Sequence, residues 1–262
     1  MMVGATLWLP TAELHEAEAQ TGDAARWRQL AQRAIYFGHQ SVGEDITAGI
    51  DELNQDLKLG LRIVLTRDPS AIAQPAFTHF HAGLNLKPAT KNAAMLKMLG
   101  DRPRPDRAIV VLKYCYVDIG GKTDVRSLFD SYREMVRAIQ SRYPDVIIVH
   151  STAPLTTVET TMKAGVKRLL GRQSVRDDAI ARHRYNTLVR AAYAGREPLF
   201  DIARVESTRA DGSRSSFVSA GESVEIMADE NTRDGGHLNE RGRLMAAREL
   251  LNALAGAMER GS

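Results

Sequence analysis

Ala34-Ile35-Tyr36-Phe37-Gly38-His39-Gln40-Ser41-Val42-Gly43 runs from an apolar stretch through a polar turn into a new pattern. Ala34–Gly38 has the length and near-continuous apolar character of a strand covered on both faces. Downstream of the turn, Ile46, Ile50, Leu53 and Leu57 recur at four, three and four residues. That spacing draws one apolar stripe along a helix. A buried strand that turns directly into an amphipathic helix is the repeating unit of a parallel α/β protein.

The same rhythm continues outward. Four more short apolar runs read as strands, Leu61–Thr66, Ala108–Tyr116, Asp145–Thr152 and Pro198–Ala203, each bounded by charge, Gly or Pro. Helical stripes lie between and after them: Val125, Leu128, Phe129, Tyr132, Val136 and Ile139, then Leu244, Ala247, Leu251 and Leu254. Alternating strands and helices predict an α/β fold, a three-layer α/β/α sandwich on a parallel five-stranded sheet. Sites in such folds gather at the carboxyl ends of the strands. Residues 1–33 read as a helical lead-in, with Trp8 and Trp27 packing on the domain of residues 34–258. Thr156–Asp178, polar and basic, and Val205–Arg233, rich in Ser, Gly, Asp and Glu, break the rhythm and read as insertions over or beside the site.

Composition narrows the function classes. The chain of 262 residues is 44% hydrophobic and 26% charged, with a formal charge of +3, ordinary for a globular domain with a full core. The basic excess is scattered, without a dense Lys/Arg block interleaved with aromatics, which argues against a nucleic-acid partner. No run approaches the roughly 18 apolar residues of a membrane span. Met1–Pro10 is apolar but short, and lacks the basic start of an export signal. One cysteine, Cys115, lies in the apolar run Ile109–Val117; it forms no internal disulfide and reads as a buried, inert thiol. Compartment and oligomeric state stay open.

Two segments carry candidate chemistry. Ser41 stands at the end of a strand and the start of a helix, where unpaired backbone N–H groups and the positive end of the helix dipole favour a developing anion. The plainer reading is an N-cap, a common use of serine. Asp234-Gly235-Gly236-His237-Leu238-Asn239 precedes the last amphipathic helix. A carboxylate three residues before a histidine, on a turn, reaches one imidazole nitrogen and leaves the other to accept a proton. The plainer reading is a capped turn, Asn239 being the N-cap and His237 a surface residue. His79 and His81, with His39, suggest zinc only weakly, because no carboxylate or cysteine ligand set accompanies them. They read instead as structural, or, for His39 and His81, as donors lining a pocket. Gly120-Gly121-Lys122-Thr123 ends like a phosphate-binding loop, but Tyr116 stands where that motif needs glycine. Lys113 and His150 fall on expected strands and point either into the site or into structural hydrogen bonds.

Taken together, strand–turn–Ser near the start and Asp-x-x-His-x-Asn before the last helix resemble the SGNH (GDSL-like) hydrolase superfamily. Arg184-Tyr185-Asn186 and Tyr143-Pro144-Asp145 are similar to family sequence as well. The likeness runs from about Ala34 to Leu254 and implies a flavodoxin-like sheet. It implies a catalytic Ser41, His237 and Asp234, and an oxyanion hole built from the Ser41 N–H and a glycine N–H, Gly83 being the candidate and Asn85 a nearby alternative donor. The family's further oxyanion asparagine falls at Val117, beside a matching Asp118, and its aspartate before the serine is Gln40 here. Tyr116 or Gln40 are candidates to fill the vacant place. The resemblance implies an acyl-enzyme mechanism on small-acyl, lipid or carbohydrate esters, with no cofactor and no metal. A carbohydrate O-acetyltransferase and a non-catalytic carbohydrate- or partner-binding domain are the rival readings, and a metal hydrolase is a third. Val205–Arg233 is expected to shape the alcohol side of the pocket.

Overall fold

The structure, a computed structural model, describes residues 22–68, 75–100, 107–158 and 175–259. Trp8 and residues 159–174 lie outside the described residues. A parallel sheet runs through the molecule, with strands β1 (Ala34–His39), β2 (Ile63–Leu65), β3 (Ala76–His81), β4 (Ile109–Leu112), β5 (Ile147–Ser151) and β6 (Leu199–Phe200) in the order β2-β3-β1-β4-β5-β6. Ignoring the edge strand β2, the order β3-β1-β4-β5-β6 is the flavodoxin-like 2-1-3-4-5.

Successive side chains of a strand face opposite layers. Ile35 and Phe37 of β1 join one core with Val42, Ile46, Ile50 and Leu53 of α1 (Ser41–Asp56) and Leu250, Leu251 and Leu254 of α6 (Glu240–Glu259). Tyr36, with Val110 and Leu112 of β4, joins a second core on the other face. That core is filled by Met95 and Leu99 of α2 (Pro88–Leu99), Leu128, Tyr132 and Ile139 of α3 (Val125–Arg142), and Tyr185 and Val189 of α4 (Val175–Tyr193). These two cores on either side of one sheet make the α/β/α sandwich. Gly38 has the central place on β1, paired with both Phe80 and Leu112; a Cβ there would meet Met95, Phe80 and Leu112 at 3.0–3.1 Å.

Among the described residues the sheet has six strands rather than five. The unexpected one is β3, Ala-Phe-Thr-His-Phe-His, which pairs with β1 along all six residues. Its polar residues interrupt the apolar run by which buried strands are recognised, although Thr78 is fully buried. The expected third strand, Ala108–Tyr116, stops at Leu112, because the chain leaves the sheet and enters a 3-10 turn, Tyr116–Asp118. The expected last strand shrinks to two residues, because the Asp201 side chain accepts from Arg204 N and starts α5 (Ile202–Ser207) at once.

Trp27 is fully buried and donates Nε1–H to Asn252 Oδ1 at 2.9 Å, docking the lead-in on α6. Val205–Arg233 contains a hairpin of β7 (Ser216–Ser219) and β8 (Glu222–Glu225). Phe217, Val224 and Ile226 of this region pack on Val158 and Ala179, at the start of α4. Cys115 is buried, and no described helix is long and apolar enough to cross a membrane.

Candidate active site

Loops at the carboxyl ends of β1, β3 and β4 meet beside the turn that precedes α6. Ser41 is the first residue of α1, and Gln40, in extended conformation, occupies the capping position. Ser41 is therefore not the N-cap. Its Oγ lies 3.0 Å from His237 Nε2. Gly43 allows α1 to start so close to the strand, since a Cβ there would fall 2.2 Å from His39.

The histidine is held from both sides. Asp234 Oδ2 lies 2.7 Å from His237 Nδ1, and Asp234 Oδ1 accepts the backbone N–H of His237 at 2.8 Å and of Gly236 at 3.0 Å. Those three bonds push the Asp234 carboxyl well below the usual carboxylate range. A carboxylate accepts only, so Nδ1 carries the ring proton and Nε2 presents a lone pair to the serine hydroxyl. Asn239 does cap α6, accepting from Gly242 N at 3.0 Å, yet His237 is also bonded to Ser41. The cap and the Ser–His–Asp contact coexist on one turn.

Asp45, one turn along α1 from Ser41, accepts from Leu238 N at 3.1 Å and from Arg233 Nη1 at 2.8 Å. The helix that carries the serine thus anchors the loop that carries the histidine. Thr232 Oγ1 accepts from Gly235 N at 2.9 Å and donates to His237 O at 2.6 Å. Sequence reasoning did not single out either residue. The i, i+4 spacing of Ser41 and Asp45 is the signal that points to a shared helix face.

Gly83 has φ +57°, and a Cβ there would press on Thr90 and Lys91 backbone atoms at 2.5–2.6 Å, so only glycine suits the position. The Gln40 amide spends its nitrogen on Ala82 O at 3.0 Å and Gly83 O at 2.9 Å, tying the Ser41 turn to the Gly83 turn. With both N–H bonds of that amide spent, Gln40 is a tether and not the missing oxyanion donor. Asn85 is exposed and its Oδ1 accepts from Lys91 Nζ at 3.0 Å; no described hydrogen bond links it to the Ser41 turn.

Asp118 is engaged on every side. It pairs with Lys91 Nζ at 2.6 Å, both side chains being fully buried, and accepts from Cys115 N at 2.7 Å and Leu86 N at 2.9 Å. Its role is to join the Leu84–Lys87 turn to the Tyr116–Asp118 turn. Arg182, 3% exposed, donates to Tyr116 O at 3.2 Å and to Thr156 Oγ1 at 2.7 Å, and so holds the turn in which Val117 stands. The Tyr116 ring meets the His237 ring edge-on at 6.0 Å, and burial raises its phenol pKa, so the hydroxyl stays a donor.

His39, His79 and His81 form hydrogen-bonded pairs rather than a ligand set. His39 Nδ1 lies 3.0 Å from Gln40 O, an acceptor, so it carries the proton. Its bare Nε2 then accepts from His79 Nδ1 at 2.9 Å. Burial holds His39 down at about 3 and His79 at about 4. His81 pairs with Glu44 at 2.6 Å on the outside. Neither His39 nor His81 lines the cavity described next, and among the described residues no group of three or more His, Cys, Asp or Glu is placed to hold a metal ion. His150 is buried between Tyr132, Glu197 and a stacked Tyr193. Lys113 is fully buried, its pKa pulled down by burial. Both are structural.

A cavity of 790 Å³ opens beside His237, lined by Tyr116, Val117, Thr156, Thr157, Arg182 and Leu86 among others. Residues of the Val205–Arg233 segment do not line it; Phe217 and Val224 of the hairpin pack on Ala179 of α4, whose Val175 and Asp178 do line it.

No family model and no curated protein matches the chain. Solved structures similar to it include the acetyl xylan esterase AlAXEase, at 15% identity over 85% of this chain and 99% of that one, with a TM-score of 0.48. A carbohydrate esterase family 3 protein from Talaromyces cellulolyticus matches at 15% identity over 87% and 97%, TM-score 0.48. A candidate lipolytic protein of the G-D-S-L family from Desulfitobacterium hafniense DCB-2 matches at 9% identity over 85% and 99%, TM-score 0.45.

Proposed function

We propose that the chain is a serine-dependent ester hydrolase of the SGNH type. The observation that carries this reading is His237, whose Nε2 lies 3.0 Å from Ser41 Oγ and whose Nδ1 lies 2.7 Å from Asp234 Oδ2. His237 takes the hydroxyl proton as Ser41 Oγ bonds to the ester carbonyl carbon. The tetrahedral oxyanion is met by the N–H groups of Ser41 and Gly83, with the positive end of α1 beside it. Collapse breaks the carbon–oxygen bond to the alcohol, which leaves with the proton from His237. Water then adds to the acyl-enzyme, again giving its proton to His237, and the acid departs as Ser41 regains its hydrogen. Asp234 stays ionised throughout and supports the imidazolium. Tyr116 is the candidate for the donor place that Val117 leaves empty. The substrate is a small-acyl or carbohydrate ester.

Val117 favours a second reading, a carbohydrate- or partner-binding domain without turnover, because loss of one oxyanion donor costs roughly a hundred- to thousandfold in rate. A fluorophosphonate probe with p-nitrophenyl acetate separates the two. Labelling of Ser41 and turnover that vanishes in Ser41→Ala support the hydrolase; an unlabelled serine and no turnover support the binding domain. Products formed with water and with a sugar as acceptor separate hydrolase from O-acetyltransferase.

A further inference from the structure

Leu86 lines the cavity beside His237 with 73% of its surface exposed, and its backbone is left-handed, φ 65°. Each feature carries a cost. An apolar side chain loses by facing water, and a residue with a Cβ is strained in the left-handed region, where glycine or asparagine is at ease. The turn is nonetheless held firmly. Leu86 N donates to Asp118 Oδ1, Asp118 pairs with the buried Lys91, and Lys91 Nζ reaches back to Asn85 Oδ1 in the same turn. Two buried charges are thus committed to holding a strained turn that displays a leucine. Val117 and Val175 add apolar surface to the same lining, and Val117 belongs to the turn that Asp118 ties to Leu86. A strained backbone that its surroundings over-determine is grounds for a hypothesis of function.

We propose that Leu86 is a specificity-determining residue: with Val117 it forms a wall against which an alkyl chain of the substrate packs, so the preferred ester carries a chain longer than acetyl or methyl. This rests on the esterase reading and narrows its substrate class. The chain belongs to either the acyl or the alcohol half, and the experiment tells which.

Leu86→Gly and Leu86→Asn both suit the left-handed backbone, so both are expected to melt at or above the wild-type temperature. The measured quantities are kcat/KM ratios, p-nitrophenyl hexanoate over acetate for the acyl half and hexyl acetate over methyl acetate for the alcohol half. One ratio is expected to fall about tenfold or more in both variants, in line with the discrimination that apolar contacts supply. Both ratios unchanged in the folded variants would overturn the proposal. Binding of p-nitrophenyl hexyl ether, which has no ester to cleave, tests the wall without turnover. Affinity is expected to weaken about tenfold in the variants; absent binding, or equal affinity in wild type and variants, overturns the wall. Leu86-dependent binding by a protein that hydrolyses no ester would sink the hydrolase reading and leave the wall standing.

Discussion

His237 Nε2 meets Ser41 Oγ at 3.0 Å across 196 residues of chain, and Asp45 holds the contact by bonding the histidine loop to the serine's own helix. The helix and the loop are therefore tied together on both sides of the contact.

Ser41→Ala and His237→Ala each remove one end of the contact. Turnover of p-nitrophenyl acetate is expected to fall by up to about a millionfold, the scale of such losses in a serine protease. The double variant is expected to be no worse than either single one, because the pair acts as a unit. Residual activity in Ser41→Ala equal to wild type would exclude the serine as nucleophile.

Asp234→Asn exchanges the acceptor facing Nδ1 for a group that also donates, which allows the wrong imidazole tautomer. The expected loss in kcat is roughly ten-thousandfold, with KM little changed. Fluorophosphonate labelling kinetics provide the check.

Val117→Asn restores a donor where the SGNH resemblance places one. A gain in kcat of about ten- to a hundredfold is expected, up to the worth of one oxyanion donor. An unchanged kcat in a well-folded variant would assign the vacant place to Tyr116, and Tyr116→Phe should then lose activity.

Acid should weaken the fold through His39. Its folded pKa, about 3, lies below the ordinary histidine value of 6.5, so the unfolded chain binds more protons between those limits. Stability is full above pH 6.5 and falls as pH drops, by about 2 kcal/mol at pH 5 from this residue. His79, about 4, acts in the same direction. Urea midpoints at pH 5 and pH 7.5 should differ less in His39→Gln than in wild type.

The Lys91–Asp118 pair lies wholly inside. Removing one partner strands the other charge, at a cost of about 3–5 kcal/mol. Lys91→Met alone should lower the melting temperature markedly, and Lys91→Met with Asp118→Asn should recover part of the loss. Thermal unfolding of the three variants measures the coupling.

Much of the site was legible before folding. Ser41 stood out because strand-to-helix junctions are written in local periodicity, and Asp234 with His237 because three residues separate them on a Gly-Gly turn. Gly83 is a candidate through the resemblance alone. Asp45, Thr232 and Arg182 were not, since an Asp on a helix or an Arg four residues before Asn186 looks like any solvated charge until a partner loop is packed on it. Asn85 and Gln40 were read as candidate donors because their side chains can donate; the structure turns the Asn85 oxygen to Lys91 and spends the Gln40 amide nitrogen on Ala82 and Gly83.

The sequence alone determined the alternation of strand and helix, and with it the layered fold and the edge at which Ser41 emerges, because apolar period and turn chemistry are properties of neighbouring residues. Only the tertiary structure decided that β3 inserts beside β1, that Asp118 and Lys91 neutralise each other indoors, and that His237 reaches Ser41. Those outcomes depend on which distant segments share a space, and burial, pairing and hydrogen bonding acquire their energies only once that space exists.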